Sequence, residues 1–490
     1  MTNSWPRHFF VILILMLGLG LRLINFQQPI ADWHSFRQVD TVSVTRYFTQ
    51  HGFDFFHPHY YDISSTQSGL ENPQGYRMVE APIYNTITLF VHYLTHQSVE
   101  NSSRLVSILL SLGSGFLIYL FVYKTTGQFL PSLFSLAIFM FLPFNIYYSR
   151  TTLPEPTAVF FMMLSLYLFS DYLYISAISL ALAILIKPFT AIIIFPTLVT
   201  LIFIHKSYFI NHKSITKLAT FAFVALLPFI LWRWWISQFP EGIPVSNWLL
   251  NNGITTTFPT WWHGYNLSFL NQMIALRPHW WYWLFQDRLA SLILGIYGII
   301  PLFLGLAYVR KFSQQISLSL VAGILLFFII VAQGNIQHDY YQVLIIPSIS
   351  ILVGLGYYYI YLLLFPNYFL KIFIILSLFF LSIFFSFDRI KEYYKINNPQ
   401  IVSLGQVIKE KLPNNSLLIA PYNGDTTLLY YTGLSGWPTE IYDFEKKVSE
   451  HPTQPIYLLS LNYDQYTNTL ISQYPTIIKE NNYIILKISP

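Results

Sequence analysis

Runs of about twenty apolar residues recur along the chain, and no other feature limits its fold so strongly. A helical run of that length matches the hydrocarbon core of a bilayer, which is about 30 Å thick. Hydrophobic residues make up 54% of the 490 residues and charged residues only 10%, against roughly 25% charged residues in a soluble domain. The composition therefore predicts a multi-pass membrane protein. It excludes a soluble enzyme, a nucleic-acid-binding protein and a disordered scaffold.

The first apolar run, Phe9 to Phe26, follows Arg7 and is interpreted as a retained helix that begins in the cytoplasm, because no small-residue cleavage site follows it. Segment 81–96 is shorter and more polar. If segment 81–96 does not cross the membrane, the basic loops lie on the cytoplasmic side, as is usual. We therefore interpret this segment as an interfacial helix. About eleven spans are then predicted. The further spans lie near residues 103–123, 129–148, 155–173, 174–187, 188–205, 216–236, 288–308, 315–333, 340–364 and 367–387.

This topology places loops 27–102 and 237–287 and the tail 388–490 outside the cytoplasm. The tail contains short β-type runs separated by turn residues. Those runs are Ser416–Ala420, Ile456–Leu461 and Tyr483–Ile488, and helical patterns lie near residues 402–412 and 426–432. We therefore predict a transmembrane domain over residues 1–387 and a small extracytoplasmic α/β domain over residues 388–490.

Ionisable residues at a membrane boundary cost free energy and are candidates for function. The first outer loop carries Asp32, His34, Arg37 and Asp40 within three helical turns. Asp32 could act as a general base, with His34 or Arg37 contacting an anionic group. The alternative is an interfacial helix whose charges face water.

Further polar residues stand at predicted outer ends of spans. Glu80 precedes a proline-containing helix start, where the helix dipole alone would favour a carboxylate. Arg150 and Glu155 bracket a proline-bounded turn, and a surface ion pair together with a helix start is the alternative explanation there. Lys187 lies where two spans meet, so it would either extend to lipid headgroups or hold a phosphate.

Three more features bear on the chemistry. His338, Asp339, Tyr340 and Tyr341 open a late span. Tryptophans in loop 237–287 suit either an aromatic belt or stacking against sugar rings. The spacing of His57, His59 and Asp62 is a weak metal pattern, and the chain lacks cysteine, so no metal site is predicted. Phosphate-binding glycine loops are also missing from the sequence, which gives ATP-driven transport no support.

The order of these features is informative. An acid follows the first span, a glutamate precedes a proline-containing helix, and an Arg-x-x-Leu-Pro-Glu loop, a Lys-Pro pair and a His-x-Tyr-Tyr motif come after them. In this order the chain resembles the membrane-embedded GT-C glycosyltransferases. The similarity is to the bacterial branch related to dolichyl-phosphate-mannose protein mannosyltransferases and the lipid A aminoarabinose transferase. It covers about residues 9–387, and the tail resembles the small periplasmic domain of some members.

The resemblance implies an inverting glycosyltransferase of the bacterial inner membrane, with no required cofactor. It would move a sugar from a polyprenyl-phosphate donor to a hydroxyl of a glycan, lipid or protein acceptor at the extracytoplasmic face. By the same resemblance the catalytic carboxylates are Asp32, as base, and Glu80. The residues expected to bind the donor phosphate are Arg37, Arg150, Lys187 and His338, and those expected to support the substrate cleft are His34, Glu155, Tyr340 and Tyr341.

The chain departs from the commoner family pattern at two places. Trp33 follows Asp32 where a paired acid is usual, and Ala81 follows Glu80 where some members have lysine. Both departures leave the donor sugar open. Two other functions compete: an O-antigen ligase or polymerase that uses a lipid-diphosphate glycan, and a lipid or sugar transporter. A transporter places polar residues near the bilayer midplane, whereas the ionisable residues here stand mostly at the outer ends of the spans.

Overall fold

The structure is a computed structural model that describes residues 5–205, 212–244, 278–308, 311–363 and 367–489. Helices dominate it, and a small sheet forms near the C-terminus, as predicted for the fold class. The described residues divide into two compact units. We call residues 5–26, 103–232 and 278–394 the helical unit, and residues 27–102, 233–244 and 395–489 the α/β unit.

The secondary structure follows the apolar pattern closely. The first helices are α1 (Trp5–Arg22), α2 (Ser35–His51), α3 (Ile83–Thr95), α4 (Val99–Thr126), α5 (Phe129–Phe141), α6 (Pro143–Tyr148), α7 (Glu155–Leu168), α8 (Leu173–Ile186), α9 (Phe189–Ile204) and α10 (His212–Ile236). The later helices are α11 (Pro278–Trp283), α12 (Ile299–Ala307), α13 (Lys311–Ile330), α14 (Ala332–Gln337), α15 (Ile346–Leu363), α16 (Tyr368–Ile390), α17 (Pro399–Lys411), α18 (Thr427–Thr432), α19 (Phe444–Glu450) and α20 (Gln465–Ile471). Leu284–Ile293 is π-helical, and Pro240–Gly242, Asp339–Ile345 and Lys391–Tyr394 are 3₁₀-helical.

Each predicted span coincides with one helix or with a pair of consecutive helical segments. In the described part of the chain, four helical segments are long and apolar enough to cross a membrane: Val99–Thr126, Ile215–Ile236, Asp339–Leu363 and Tyr368–Lys411. Five shorter apolar helices accompany them. The predicted interfacial segment forms helix α3, which begins after Pro82. The number of crossings and the interfacial placement of α3 stay predictions.

Within the helical unit, glycines allow helix backbones to touch. A Cβ atom added to Gly356 of α15 would lie 1.7 Å from the carbonyl oxygen of Pro301 in α12. A Cβ on Gly305 would lie 1.9 Å from the carbonyl oxygen of Leu352, and α13 approaches α9 in the same way at Gly323. Within a lipid bilayer, burial of apolar surface does not drive helices together. Small residues at the crossings allow tight packing there instead.

The α/β unit contains strands β1 (Leu417–Ile419), β2 (Gly436–Trp437), β3 (Ile456–Ser460), β4 (Thr476–Lys479) and β5 (Ile484–Lys487). They form one sheet in the order β2-β1-β3-β5-β4, in which β1 is parallel to β2 and β3 while β5 is antiparallel to β3 and β4. One face of the sheet shares a hydrophobic core with α17, α18 and Val39 and Val42 of α2. Residues 27–102 and the tail therefore fold as one unit.

Candidate active site

Asp32 lies three residues before helix α2 and is almost fully buried, at 1% exposure. The Nε2 amide of Gln38 donates to Asp32 Oδ1 at 2.7 Å, and the side chain of Asn397 donates to the Asp32 carbonyl oxygen at 3.2 Å. His34, at the N-cap, has φ 56°, a left-handed conformation that is uncommon for a residue with a side chain. The hydrogen bonds from Gln38 and from Asn397 of the tail therefore hold Asp32 in place.

Arg37 and Glu80 form a salt bridge between the guanidinium Nη2 and the carboxylate Oε1. Both side chains are largely buried. The structure therefore joins two predicted site residues that are 43 positions apart. The alternative of a helix whose charges face water is wrong for this region, because Arg37 and Asp40 of α2 are buried, as is Asp32 before the helix.

Asp40 is a buried carboxylate that the sequence groups with Asp32 and Arg37 but to which no role in the site was assigned. Arg77 forms an ion pair with it at 3.0 Å, Thr426 Oγ1 donates to Oδ1 at 2.6 Å, and Gln67 donates to Oδ2 at 3.2 Å. These partners come from two separate parts of the chain, segment 67–77 and the tail. No spacing pattern links them, so only their position in the fold could have identified the cluster.

Lys187 and Glu155 form a buried ion pair in the helical unit, with 2.8 Å between Nζ and Oε1. The two side chains are 5% and 1% exposed. Lys187 Nζ also lies 5.2 Å from the centroid of the Tyr341 ring, a favourable cation–π distance. A helix does begin at Glu155, as the alternative explanation of this loop required. The surface ion pair of that explanation and a lysine extended to headgroups are wrong, because both side chains are buried.

Arg150 is buried at the end of α6 and held by backbone and aromatic groups. Its Nη1 donates to the carbonyl oxygen of Asn25 at 3.1 Å. The guanidinium carbon lies 4.4 Å from the ring centroid of Tyr394 and 5.3 Å from that of Tyr147. Such stacking suits a planar guanidinium, which stays charged in proteins.

The His338 motif forms a compact aromatic group. The imidazole of His338 stacks on Tyr340 with 5.1 Å between ring centroids and meets the ring of Tyr341 edge-on at 5.6 Å. Both tyrosines are buried.

Between His338 and Tyr340, Asp339 is a second buried carboxylate, which belongs to the motif but to which no role in the site was assigned from sequence. It accepts a hydrogen bond from Tyr148 Oη at 2.5 Å and one from the hydroxyl of Tyr393. Arg288 Nη1 lies 3.3 Å from its Oδ2. The carboxylate thereby connects four helical segments, and its position next to His338 in the motif was the one available signal.

The predicted site residues divide between the two units. Those in the α/β unit are Asp32, His34, Arg37 and Glu80, and those in the helical unit are Arg150, Glu155, Lys187, His338, Tyr340 and Tyr341. Much of the tryptophan-rich loop, including Trp248, Trp261 and Trp262, lies outside the described residues. Among the described residues there is no group of three or more histidines and acids suited to a metal ion. His57 instead contacts Asp54, at 2.8 Å.

Comparison with known proteins supports the resemblance found in the motifs. Residues 79–232 match the family model described as dolichyl-phosphate-mannose-protein mannosyltransferase. No curated protein matches the chain by sequence. This match and the fold shared with the solved structures described next confirm the predicted resemblance to GT-C glycosyltransferases. Both are consistent with the prediction that the protein is a glycosyltransferase.

The fold is that of several solved membrane transferases. The apo structure of ArnT from Cupriavidus metallidurans is 13% identical and has a TM-score of 0.66, covering 98% of this chain and 97% of its own. The structure of the same protein bound to undecaprenyl phosphate has a TM-score of 0.63 at 12% identity, covering 100% of this chain and 98% of its own. The oligosaccharyltransferase AglB from Archaeoglobus fulgidus, in complex with an inhibitory peptide and a dolichol-phosphate, has a TM-score of 0.52 at 9% identity, covering 94% of this chain and 69% of its own. At these identities the common feature is the fold.

Proposed function

We propose that this protein is an inverting glycosyltransferase that moves a sugar from a polyprenyl-phosphate donor to an acceptor hydroxyl at the extracytoplasmic face of a bacterial inner membrane. The supporting observation is the fold shared, over the full chain, with a protein solved with undecaprenyl phosphate. The buried carboxylate of Asp32, held by Gln38 at the start of a polar helix, supplies the base that such a reaction needs.

In the proposed reaction, Asp32 accepts the proton of the acceptor hydroxyl. The oxygen attacks the anomeric carbon of the sugar while the bond from that carbon to the lipid phosphate oxygen breaks. The phosphate leaves with the bonding electrons, and the configuration at the anomeric carbon inverts. The hydrogen bond from Gln38 to one carboxylate oxygen fixes the direction of the base. Glu80, fixed by Arg37, orients the acceptor.

The leaving phosphate gains charge in the transition state, where a positioned cation stabilises it most. In the helical unit, Arg150, Lys187 and His338 are proposed to take this role. The rigid setting of Arg150 against two aromatic rings keeps it oriented. The ion pair with Glu155 holds Lys187 in place. The Lys187 ammonium then donates a charge-assisted hydrogen bond to the phosphate.

Release of free polyprenyl phosphate from a labelled polyprenyl-phosphate hexose tests the proposal, with purified protein and mixed membrane acceptors. Asp32→Asn is expected to slow release by about 10²–10⁴-fold, the usual contribution of a general base. Asp54→Asn is the matched control, because Asp54 is an exposed carboxylate of the same unit, and it should release at the wild-type rate. Full activity of Asp32→Asn would contradict the assignment of the base. Consumption of lipid-diphosphate glycans alone would favour the ligase or polymerase alternative.

A further inference from the structure

A pocket opens on the α/β unit between the segment that leads into helix α19 and helix α20. Its volume is 540 Å³, within the range of about 300–1,000 Å³ that is usual for ligand sites. Among the described residues, none of those lining the pocket carries a positive charge. The lining combines aromatic rings with carboxylates and amides, which come from Tyr442, Tyr466, Glu440, Asp464, Gln465 and Gln473.

The pocket lies on the side of the sheet that faces away from α2. Successive residues of a strand point to opposite faces of a sheet. Leu418 of β1 belongs to the core shared with α2, whereas its neighbour Leu417 belongs to a second core on the other face. Leu470 of α20 lies in that second core and also lines the pocket. The sheet therefore separates the pocket from α2, so a ligand held there occupies a site distinct from the candidate active site.

Hydrogen bonds give the pocket a defined shape. The Tyr466 hydroxyl donates to the carbonyl oxygen of Ile441 at 2.7 Å and accepts from the Ile441 N–H at 3.1 Å. Asp443 and Asp464 cap the two helices, and their carboxylates accept from backbone N–H groups at 3.0 Å and 2.8 Å. The segment before α19 is thereby fixed on α20, and the two walls of the pocket are held together.

Tyr442 presents its ring to solvent at the rim of the pocket. The residue is 78% exposed, although a tyrosine ring is stabilised by leaving water. Its ring makes a T-shaped contact with Tyr466 at 5.5 Å between centroids, and its hydroxyl donates to the Glu440 carboxylate. These contacts orient the ring while most of its surface stays available to a ligand.

We propose that this pocket binds a neutral sugar unit of a glycan, with the apolar C–H face of the sugar stacked on Tyr442 and its hydroxyls bonded to the carboxylates and amides. A sugar hydroxyl both donates and accepts, so it matches carboxylates, which only accept, and amides, which do both. The inference goes beyond the proposed function, because no bond is made or broken at this site.

Other ligand classes match the lining less well. A lysine or arginine side chain only donates, so it would leave the amide N–H groups to water. A phosphate would meet two carboxylates of its own charge. An apolar ligand would cover those carboxylates without giving them hydrogen-bond partners, which is costly.

Binding of fluorescently labelled trisaccharides of glucose, galactose, mannose and rhamnose to the full-length protein in nanodiscs tests the pocket. At least one of these neutral probes is expected to bind in the millimolar range or more tightly. Tyr442→Ala should weaken that binding by about fivefold or more, because it removes the stacking surface. Glu440→Gln should weaken it by about tenfold, because hydrogen bonds to a charged group are lost. Both residues are exposed, so the variants should keep the wild-type unfolding temperature.

The matched controls are Tyr93→Ala and Glu445→Gln, which replace exposed residues of the same unit outside the lining. Both should bind the trisaccharide with wild-type affinity. Failure of all four trisaccharides to bind, or unchanged affinity in Tyr442→Ala or Glu440→Gln, would overturn the pocket while leaving the proposed function in place. Tighter binding of a trilysine peptide than of any trisaccharide would also overturn it, because the pocket would then be a site for cations.

The variant Asp32→Asn distinguishes this site from the catalytic one. It should lose release of polyprenyl phosphate and yet bind the trisaccharide with wild-type affinity. Loss of trisaccharide binding in Asp32→Asn would overturn the second site, because the sugar would then bind beside the proposed base. Normal release in Asp32→Asn, with trisaccharide binding that still depends on Tyr442, would contradict the proposed base and leave the pocket in place.

Discussion

Lys187 and Glu155 show how this chain carries charge in its helical unit: a cation and an acid, both buried, neutralise each other at 2.8 Å. Arg37 and Glu80 do the same in the α/β unit. Burying two charges costs desolvation energy that their attraction only partly offsets, yet removing one partner strands the other. At each pair, replacing one partner therefore tests stability, whereas replacing both partners with neutral residues tests function.

Lys187→Met is expected to reduce the free energy of unfolding by about 3–5 kcal/mol, because it leaves the Glu155 carboxylate buried without its cation. Adding Glu155→Gln should recover most of that loss. Denaturation of the purified variants in detergent measures both effects. If Lys187 also binds the donor phosphate, the stable double variant should still need more donor for half-maximal rate. A double variant with normal donor dependence would contradict the phosphate role, and one as unstable as Lys187→Met would contradict the pairing.

Asp62, in the α/β unit, makes a pH-dependent contribution. Burial raises the pKa of Asp62 from 3.8 to about 6, although Ser64 donates to the carboxylate. An acid with a raised pKa binds its proton more tightly in the folded state than in the unfolded state. Its contribution to stability is therefore present below pH 4 and is lost as the pH rises to 6.

Asp62→Asn should therefore stabilise the protein at pH 7 to 8 by up to about 3 kcal/mol, since each pKa unit corresponds to 1.36 kcal/mol. Near pH 4 the gain should vanish. The amide oxygen keeps the hydrogen bond from the Ser64 N–H, which is 2.8 Å long in the native protein. Thermal unfolding across this pH range measures the difference. A gain that does not change with pH would show that charge burial at Asp62 is not its cause.

At the scale of secondary-structure elements, helix pairs in the helical unit cross where glycine permits backbone contact. Helices α12 and α15 approach each other through Gly305 and Gly356. The glycine of α1 at position 20 has open space around it instead, with no atom within 4 Å of an added Cβ. Glycines within helices of the same unit thus have different structural roles, and the sequence alone does not distinguish them.

Gly356→Ala is expected to destabilise the folded protein by at least about 1–3 kcal/mol, because its methyl group would overlap a backbone oxygen that cannot rotate away. Gly20→Ala should be neutral or slightly stabilising, since alanine favours helix by up to about 1 kcal/mol. Thermal unfolding in detergent and the yield of monodisperse protein compare the two. Equal stability of both variants would contradict the close crossing of α12 and α15.

At the scale of the whole molecule, the tail and segment 27–102 share one hydrophobic core within the α/β unit. Polar contacts reinforce it. Arg46 of α2 stacks on the ring of Tyr430 at 3.6 Å and donates to its carbonyl oxygen at 2.8 Å. Thr426 donates to Asp40, and Asn397 donates to the carbonyl of Asp32. The tail therefore supports the helix next to the proposed catalytic base.

Leu428→Ala tests this dependence, because Leu428 is fully buried in the shared core. A cavity of this kind typically costs about 2–5 kcal/mol. Limited proteolysis of membranes should then cleave segment 27–102 as well as the tail, since both unfold together. Ile477→Ala, on the exposed edge strand β4, should leave the protease pattern unchanged. Cleavage of the tail alone would contradict a common folding unit.

Sequence reasoning located most elements but few of their partners. Strands β1, β3 and β5 were predicted because each is a β-type run bounded by turn residues. Strand β2 has two residues and pairs with β1 through Gly436, whose missing side chain lets the backbones meet. Strand β4 is largely exposed, so its residues lack the apolar pattern that marks a buried strand. Helices α19 and α20 are short and were not predicted.

The sequence by itself determined the helical, membrane-type character of the chain and the order of the motifs that resemble GT-C glycosyltransferases. Both are local properties, because a run of apolar residues and a short motif are contained within a few helical turns. Only the tertiary structure decided that Lys187 pairs with Glu155, that Asp339 receives Tyr148 and Tyr393, and that the tail packs on α2. Those contacts join residues as far apart as 386 positions. Pairing of buried charges is set by which side chains the packed core brings within hydrogen-bond distance, and no spacing along the chain encodes that.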